Sequence, residues 1–185
     1  MIYNDFMKVG IDISQLAYEK TGVANYLSRL VESLITIDKE NEYILFGSSL
    51  RQSIKYQVLS IKYKDKKNVI FKIFKFPPSL LDFLWNKLHI LPIETLIGDV
   101  DVFISSDWTE PPTKKAKKAT ILYDLIVYKS PEETDQKIVD TQKRKLFWTK
   151  KECDVILCIS ESTKRDAIKL LGIPESKVRV VYPGL

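Results

Sequence analysis

Short apolar runs alternate along this chain with stretches in which apolar residues recur every three or four positions. "KVGIDI" (8–13), "EYILFG" (42–47), "VIFKIFKF" (69–76), "DVFIS" (101–105), "ATILYD" (119–124), "DVILCIS" (154–160) and "KVRVVY" (177–182) predict strands. Between the first two, "GVANYLSRLVESLITI" (22–37) sets Val23, Tyr26, Leu27, Leu30, Val31, Leu34 and Ile35 on one helical stripe, with Thr21 as its N-cap. A polar helix is expected over about 132–151. Another spans 161–171, where Ser160 can cap the start, Gly172 can take the left-handed exit and Pro174 bars continuation. The segment 77–98 reads as a helix-rich insert broken at Pro92, and the polar, Lys-rich 48–68 as loop with some helix. The first six residues read as a frayed lead-in to a strand beginning near Met7.

"DVILCI", "VFI" and "TILY" are continuous apolar runs, the pattern of strands buried on both faces of a parallel sheet. Strand–helix alternation then predicts right-handed crossovers and a three-layer α/β, Rossmann-like domain with a mainly parallel sheet. Neither an internal repeat nor a low-complexity linker divides residues 1–185. In such a sheet ligands bind beyond the carboxyl ends of the strands. Polar residues gather there: Asp12 and Ser14; Ser105, Ser106, Asp107 and Trp108; Asp124; Ser160 and Glu161. Gly22 opens the first helix, where N–H groups and the positive dipole end favour an anion and no side chain obstructs a phosphate. Neither G-x-G-x-x-G nor the Walker lysine pattern is present, which disfavours a nucleotide-dependent oxidoreductase.

With 185 residues, 45% of them apolar and 29% charged, the composition is that of an ordinary globular domain. The net charge of +5 is concentrated in Lys-rich patches at 62–67, 113–118 and 143–151. They read either as solvated turns and helix faces or as an attraction to an anionic lipid surface. Nothing resembles a nucleic-acid-binding motif, so nucleic acid is not an expected partner. Cys153 and Cys158 sit at the start of and inside one apolar run; if that run is a strand, residues five apart point to opposite faces and cannot pair locally, and Cys158 with the lone His89 makes no metal-ligand set. No metal or cofactor is expected, and the cysteine usage indicates a reducing compartment, hence cytoplasm. No signal peptide or membrane-spanning run is legible. His89, "DFLW" (82–85) and "LFW" (146–148) read as packing groups, and one histidine so placed excludes a Ser/His/Asp arrangement.

Four blocks in order resemble the N-terminal domain of the group 1 glycosyltransferases, the retaining family 4 class with the GT-B fold. "ISESTKRDAIKLLGIPESKVRVVYPGL" (159–185) is the most specific; "GIDISQLAYEKTGVANYLSRLVESL" (10–34), "DVFISSDWTEPP" (101–112) and "ILYDLIVYKSPE" (121–132) are the others. The resemblance implies the first half of a GT-B enzyme of polysaccharide biosynthesis, ending at the interdomain hinge Pro183-Gly184-Leu185, with its partner the missing C-terminal donor-binding domain. It implies transfer from a nucleotide-sugar donor to a glycan or lipid-linked acceptor, in the cytoplasm or peripherally at the inner face of the membrane. Gly22 matches the loop glycine that approaches the donor diphosphate. Tyr123-Asp124 falls where many members have His-Asp beside the reacting sugar, so the pair is the candidate catalytic position, with tyrosine replacing the histidine. Asp107, Trp108, Ser160 and Glu161 are the candidate acceptor contacts. The isolated domain is expected to be inactive; the alternative is a stand-alone, non-catalytic α/β binding module.

Overall fold

The computed structural model describes residues 6–18, 21–51 and 53–184. All of the predicted lead-in but Phe6, and Leu185 of the expected hinge, lie outside these residues. Among the described residues the chain forms β1 (Lys8–Asp12), α1 (Gly22–Ile37), β2 (Glu42–Ser48), α2 (Ser53–Lys62) and β3 (Val69–Phe74). The insert follows as α3 (Pro78–Leu81), a π-helical turn (Asp82–Lys87) and α4 (Glu94–Ile97). Next come β4 (Val102–Ser105), β5 (Lys117–Leu122), α5 (Ile126–Lys129), α6 (Gln136–Glu152), β6 (Val155–Cys158), α7 (Glu161–Leu171) and β7 (Val178–Val180).

The sheet runs β3-β2-β1-β4-β5-β6-β7, and every neighbouring pair is parallel. Alternate residues of each strand feed opposite faces. Val9, Ile11, Leu45, Ile104 and Ile121 pack under α1 and α2, with Tyr26, Leu27, Val31, Ile35 and Tyr56 supplied by those helices. On the other face Phe46 and Phe103 meet Trp85 and Ile97 of the insert, while Ile156 and Cys158 meet Leu146 of α6 and Ala167 of α7. Helices therefore cover both sides of a seven-stranded sheet, the three-layer arrangement expected.

Gly10 lies in the centre of this sheet, paired with Ile44 and Phe103. A Cβ there would stand 2.8 Å from Phe103 Cδ2 and 3.0 Å from Ile97 Cδ1, so close packing of the insert requires glycine. The helix ends follow their capping residues. Thr21 Oγ1 accepts the Ala24 N–H at 3.1 Å, Ser160 Oγ accepts that of Thr163 at 3.1 Å, and Gly172 is left-handed at φ 64°. Helix α6 starts later than expected because Asp135 caps it, after a 3₁₀ turn at Pro131–Glu133. In the insert the break precedes Pro92: His89 and Leu91 have φ of 52° and 66°.

Two sequence expectations are corrected. Cys153 terminates α6 and lies outside β6, so strand alternation does not reach it. Both cysteines are buried in one apolar cluster, and both are free thiols. The basic patches are not uniformly solvated either, because Lys118 and Lys145 are almost completely buried. His89 is a packing group as expected, stacked on Trp148 at 3.5 Å with Nδ1 on Trp85 O at 2.7 Å.

Candidate functional site at the carboxyl edge of the sheet

The chain leaves β1 toward β2 and β3 and returns to build β4 to β7 on the other side, so the strand order reverses between β1 and β4. Loops diverge from the carboxyl ends of strands at such a point and leave a crevice. Three adjoining hollows occupy this edge. The first, about 450 Å³, lies at the reversal and is lined by Asp12, Gln15, Tyr18, Ser48, Leu81 and Trp108, among others. The second, about 160 Å³, involves Asp107, Trp108, Tyr123, Asp124, Gln142 and Lys145. A third, about 530 Å³, runs from Gly22 and Arg29 past Tyr123 and Asp124 to Pro183.

Trp108 belongs to the first two hollows and Tyr123-Asp124 to the last two, so the edge is one connected rim. Five candidates meet along it: Gly22, Asp107, Trp108, Tyr123 and Asp124. Ser160 and Glu161 line none of the three. Ser160 is consumed as the α7 cap, and Glu161 opens that helix exposed to solvent. Ser105 and Ser106, also at a strand end, are buried beneath the crevice.

The loop carrying Asp107 and Trp108 is clamped from two elements. Asn86, in the π-helical turn, donates to Trp108 O at 2.9 Å and accepts the Glu110 N–H at 3.0 Å. Gln142 of α6 donates to Asp107 O at 3.1 Å. The π turn accounts for Asn86 reaching this loop, since one such turn redirects the side chains of a helix and recurs at functional sites. Sequence reasoning missed Asn86 and Gln142. Their contacts span 22, 24 and 35 residues, and neither type stands out in a helical pattern.

Below the loop lies a buried polar network. Glu110, fully buried, accepts from Ser105 Oγ at 2.7 Å and Thr149 Oγ1 at 3.1 Å, and Lys118 Nζ stands 3.4 Å from its other oxygen. Lys118 also donates to Glu152 at 2.8 Å. Burial disfavours the Lys118 ammonium, but Glu110 and Glu152 outweigh it and hold its pKa above the ordinary value. Lys145 Nζ donates to Thr120 Oγ1 at 2.9 Å.

The rim carboxyls are poised by their surroundings. Burial pushes Asp12 up despite the Ser14 N–H at 2.8 Å and the nearby Lys145 charge. Burial likewise raises Asp107, with Lys145 and Gln142 pulling back. Tyr123 is buried edge-on against Tyr26 at 5.6 Å, its hydroxyl 3.3 Å from Ser106 Oγ. Burial holds its proton far above the ordinary tyrosine range, so the phenol is a neutral hydrogen-bonding group, not a proton carrier, near neutrality. At α1, Thr21 takes the Ala24 N–H and the first helical bond is from Asn25, leaving the amides of Gly22 and Val23 outside the helix's own ladder. A Cβ on Gly22 would meet nothing within 4 Å.

This edge thus combines aromatic faces, partly desolvated carboxyl groups and a helix N-terminus, an arrangement fitted to a polyhydroxylated ligand beside an anionic one. Among the described residues no group of His, Cys, Asp and Glu side chains could hold a metal ion, and no helix is long and apolar enough to cross a membrane. A family model described as Glycosyltransferase Family 4 matches residues 20–185. No curated protein matches the chain.

Proposed function

The chain belongs to the family 4 glycosyltransferases, and from that premise we propose that it is the acceptor-side domain of a retaining enzyme. That enzyme moves a sugar from a nucleotide-sugar to a glycan or lipid-linked acceptor in the cytoplasm. The observation that carries the reading is the connected rim, centred on Trp108, at the reversal of strand order. An indole packs against the apolar face of a sugar ring, while Asp107 and the Asp12 and Gln15 of the first hollow accept or donate to its hydroxyls.

On this reading the donor diphosphate approaches the start of α1 over Gly22. Negative charge accumulates on the leaving diphosphate as the glycosidic bond breaks, and the Gly22 and Val23 amides with the helix dipole offset it. Tyr123 and Asp124 stand beside the reacting sugar. Tyr123 shapes the floor there and does not shuttle a proton. Ser160 and Glu161 border the same edge, where Glu161 is free to meet an acceptor and Ser160 acts by fixing α7. A second, donor-binding lobe closes over the rim. One wall of a cleft neither orients two substrates nor excludes water, so residues 1–185 alone should give negligible transfer.

The test is Gly22→Val in the full-length enzyme. Because a Cβ at this position meets open space, folding should be retained while turnover falls as the diphosphate is obstructed. Unchanged turnover removes Gly22 from the site.

A further inference from the structure

We propose that the hollow at the strand reversal admits an uncharged sugar residue, and that Asp12 makes it reject one bearing a carboxylate or a phosphate. This specificity rests on the reading of the carboxyl edge as the acceptor side of a sugar transferase, and it fixes the acceptor's chemical class. Pro78 and Leu81 of the insert and the Trp108 indole supply the apolar part of the lining, while the turn leaving β1 supplies Asp12, Ser14 and Gln15. A sugar ring, apolar on one face and hydroxylated at its edge, matches such a lining.

Most hydroxyls around the hollow are already engaged. Ser14 Oγ accepts the Ser48 N–H at 3.2 Å, Ser48 Oγ donates to Phe76 O at 3.0 Å, and Thr21 Oγ1 donates to Tyr18 O at 3.1 Å. Gln15 and Thr109 differ. Each is more than nine-tenths buried, at 7% and 6% exposure, and among the described residues neither side chain makes a hydrogen bond. A buried amide and a buried hydroxyl without protein partners are places for a ligand's polar groups.

Charge then decides which sugar fits. Asp12 is the one charged residue of the lining, and no Lys or Arg shares it, although the chain as a whole carries a net charge of +5. The adjoining hollow adds Asp107 and Asp124. Lys145 lies close enough to act on both Asp12 and Asp107, but it is 1% exposed and donates to Thr120 Oγ1 at 2.9 Å. Fully buried Glu110 opposes its effect on Asp12. A ligand carboxylate or phosphate would meet this field with no free cation to answer it, whereas hydroxyls can donate to Asp12. Further along the rim the character is reversed, where the amides at the start of α1 lie in one hollow with Arg29. An anionic donor and a neutral acceptor are thereby sorted to different parts of one edge.

The experiment is a saturation-transfer NMR titration of the protein at pH 7. Its probes are the methyl glycosides of glucose, galactose and mannose, each beside its 6-carboxylate and its 6-phosphate. Asp12→Asn and Gln15→Leu are titrated alongside, with circular dichroism to confirm that both fold. The best-bound neutral glycoside should bind about tenfold or more tightly than its two anionic counterparts, the effect of like charges meeting in a partly desolvated site. Asp12→Asn should shrink that margin to about threefold or less, and Gln15→Leu should weaken the neutral glycoside, which locates binding in this hollow. The proposal is overturned if a carboxylate or phosphate binds as tightly as its neutral partner, if Asp12→Asn leaves the margin unchanged, or if Gln15→Leu has no effect. Those results leave the sugar-transferase reading standing. Failure of every glycoside to bind, neutral and charged alike, removes the sugar site itself and both claims with it.

Discussion

Lys118→Met tests how the crevice loop is held from below. The substitution keeps the aliphatic stem and removes the ammonium, which stands 3.4 Å from Glu110 Oε1 and 2.8 Å from Glu152 Oε2. Glu152 is partly solvated and tolerates the loss, but Glu110 has no exposure and keeps only the Ser105 and Thr149 hydroxyls. Leaving a buried charge without its partner costs about 3–5 kcal/mol. At roughly 2–4 °C per kcal/mol for a chain of this size, the melting temperature should fall by about 6–20 °C. Urea denaturation followed by circular dichroism measures the loss. Glu110→Gln removes the charge while its amide oxygen still accepts from both hydroxyls, so Lys118→Met/Glu110→Gln should recover most of the stability. The reasoning fails if Lys118→Met costs less than about 1 kcal/mol, or if the two substitutions simply add.

Two further outcomes follow from buried groups of the rim. Tyr123→Phe removes one neutral hydrogen bond to Ser106 and should cost about 0.5–1.5 kcal/mol in a thermal melt, with turnover of the full-length enzyme nearly unchanged; a large loss of turnover at intact stability would give the phenol a chemical role. Burial raises the Asp12 pKa, so its carboxyl favours folding least when ionised, and the penalty appears as pH rises from the ordinary aspartate range through the raised value. Asp12→Asn should therefore be more stable than the parent at neutral pH, with the difference vanishing in acid, and equal gains at both pH values would refute the assignment.

The strands and the two cleanly capped helices were legible because their signals are local. Continuous apolar runs mark strands buried on two faces, and Thr21, Ser160 and Gly172 act on amides within a few residues. The carboxyl-edge rule placed Asp107, Trp108 and Asp124 at one edge without any knowledge of side-chain contacts, and Tyr123 entered only through the family resemblance. Ser160 was expected in two roles, as the cap of α7 and at the crevice, and its hydroxyl is spent on the cap. What stayed hidden depends on pairing across the chain. Lys118 and Lys145 sit in basic patches indistinguishable from solvated ones until Glu110, Glu152 and Thr120 are brought beside them. Asn86 becomes a clamp only because a π turn aims it at Trp108. Helix α2 was only half legible because its lysines, serines and glutamine make 48–68 read as loop with some helix.

Hydrogen–deuterium exchange of the full-length enzyme, with and without nucleotide-sugar and acceptor, interrogates the central claim at the level of individual segments. If the carboxyl edge of the sheet is the reacting face, substrates should slow exchange at the start of α1 around Gly22, in the loop 106–109 and at Tyr123 and Asp124. The amino edge, around residues 99–101 and 114–115, should be unaffected. Protection confined to that opposite edge, with the Gly22, Trp108 and Tyr123 segments unchanged, would contradict the account.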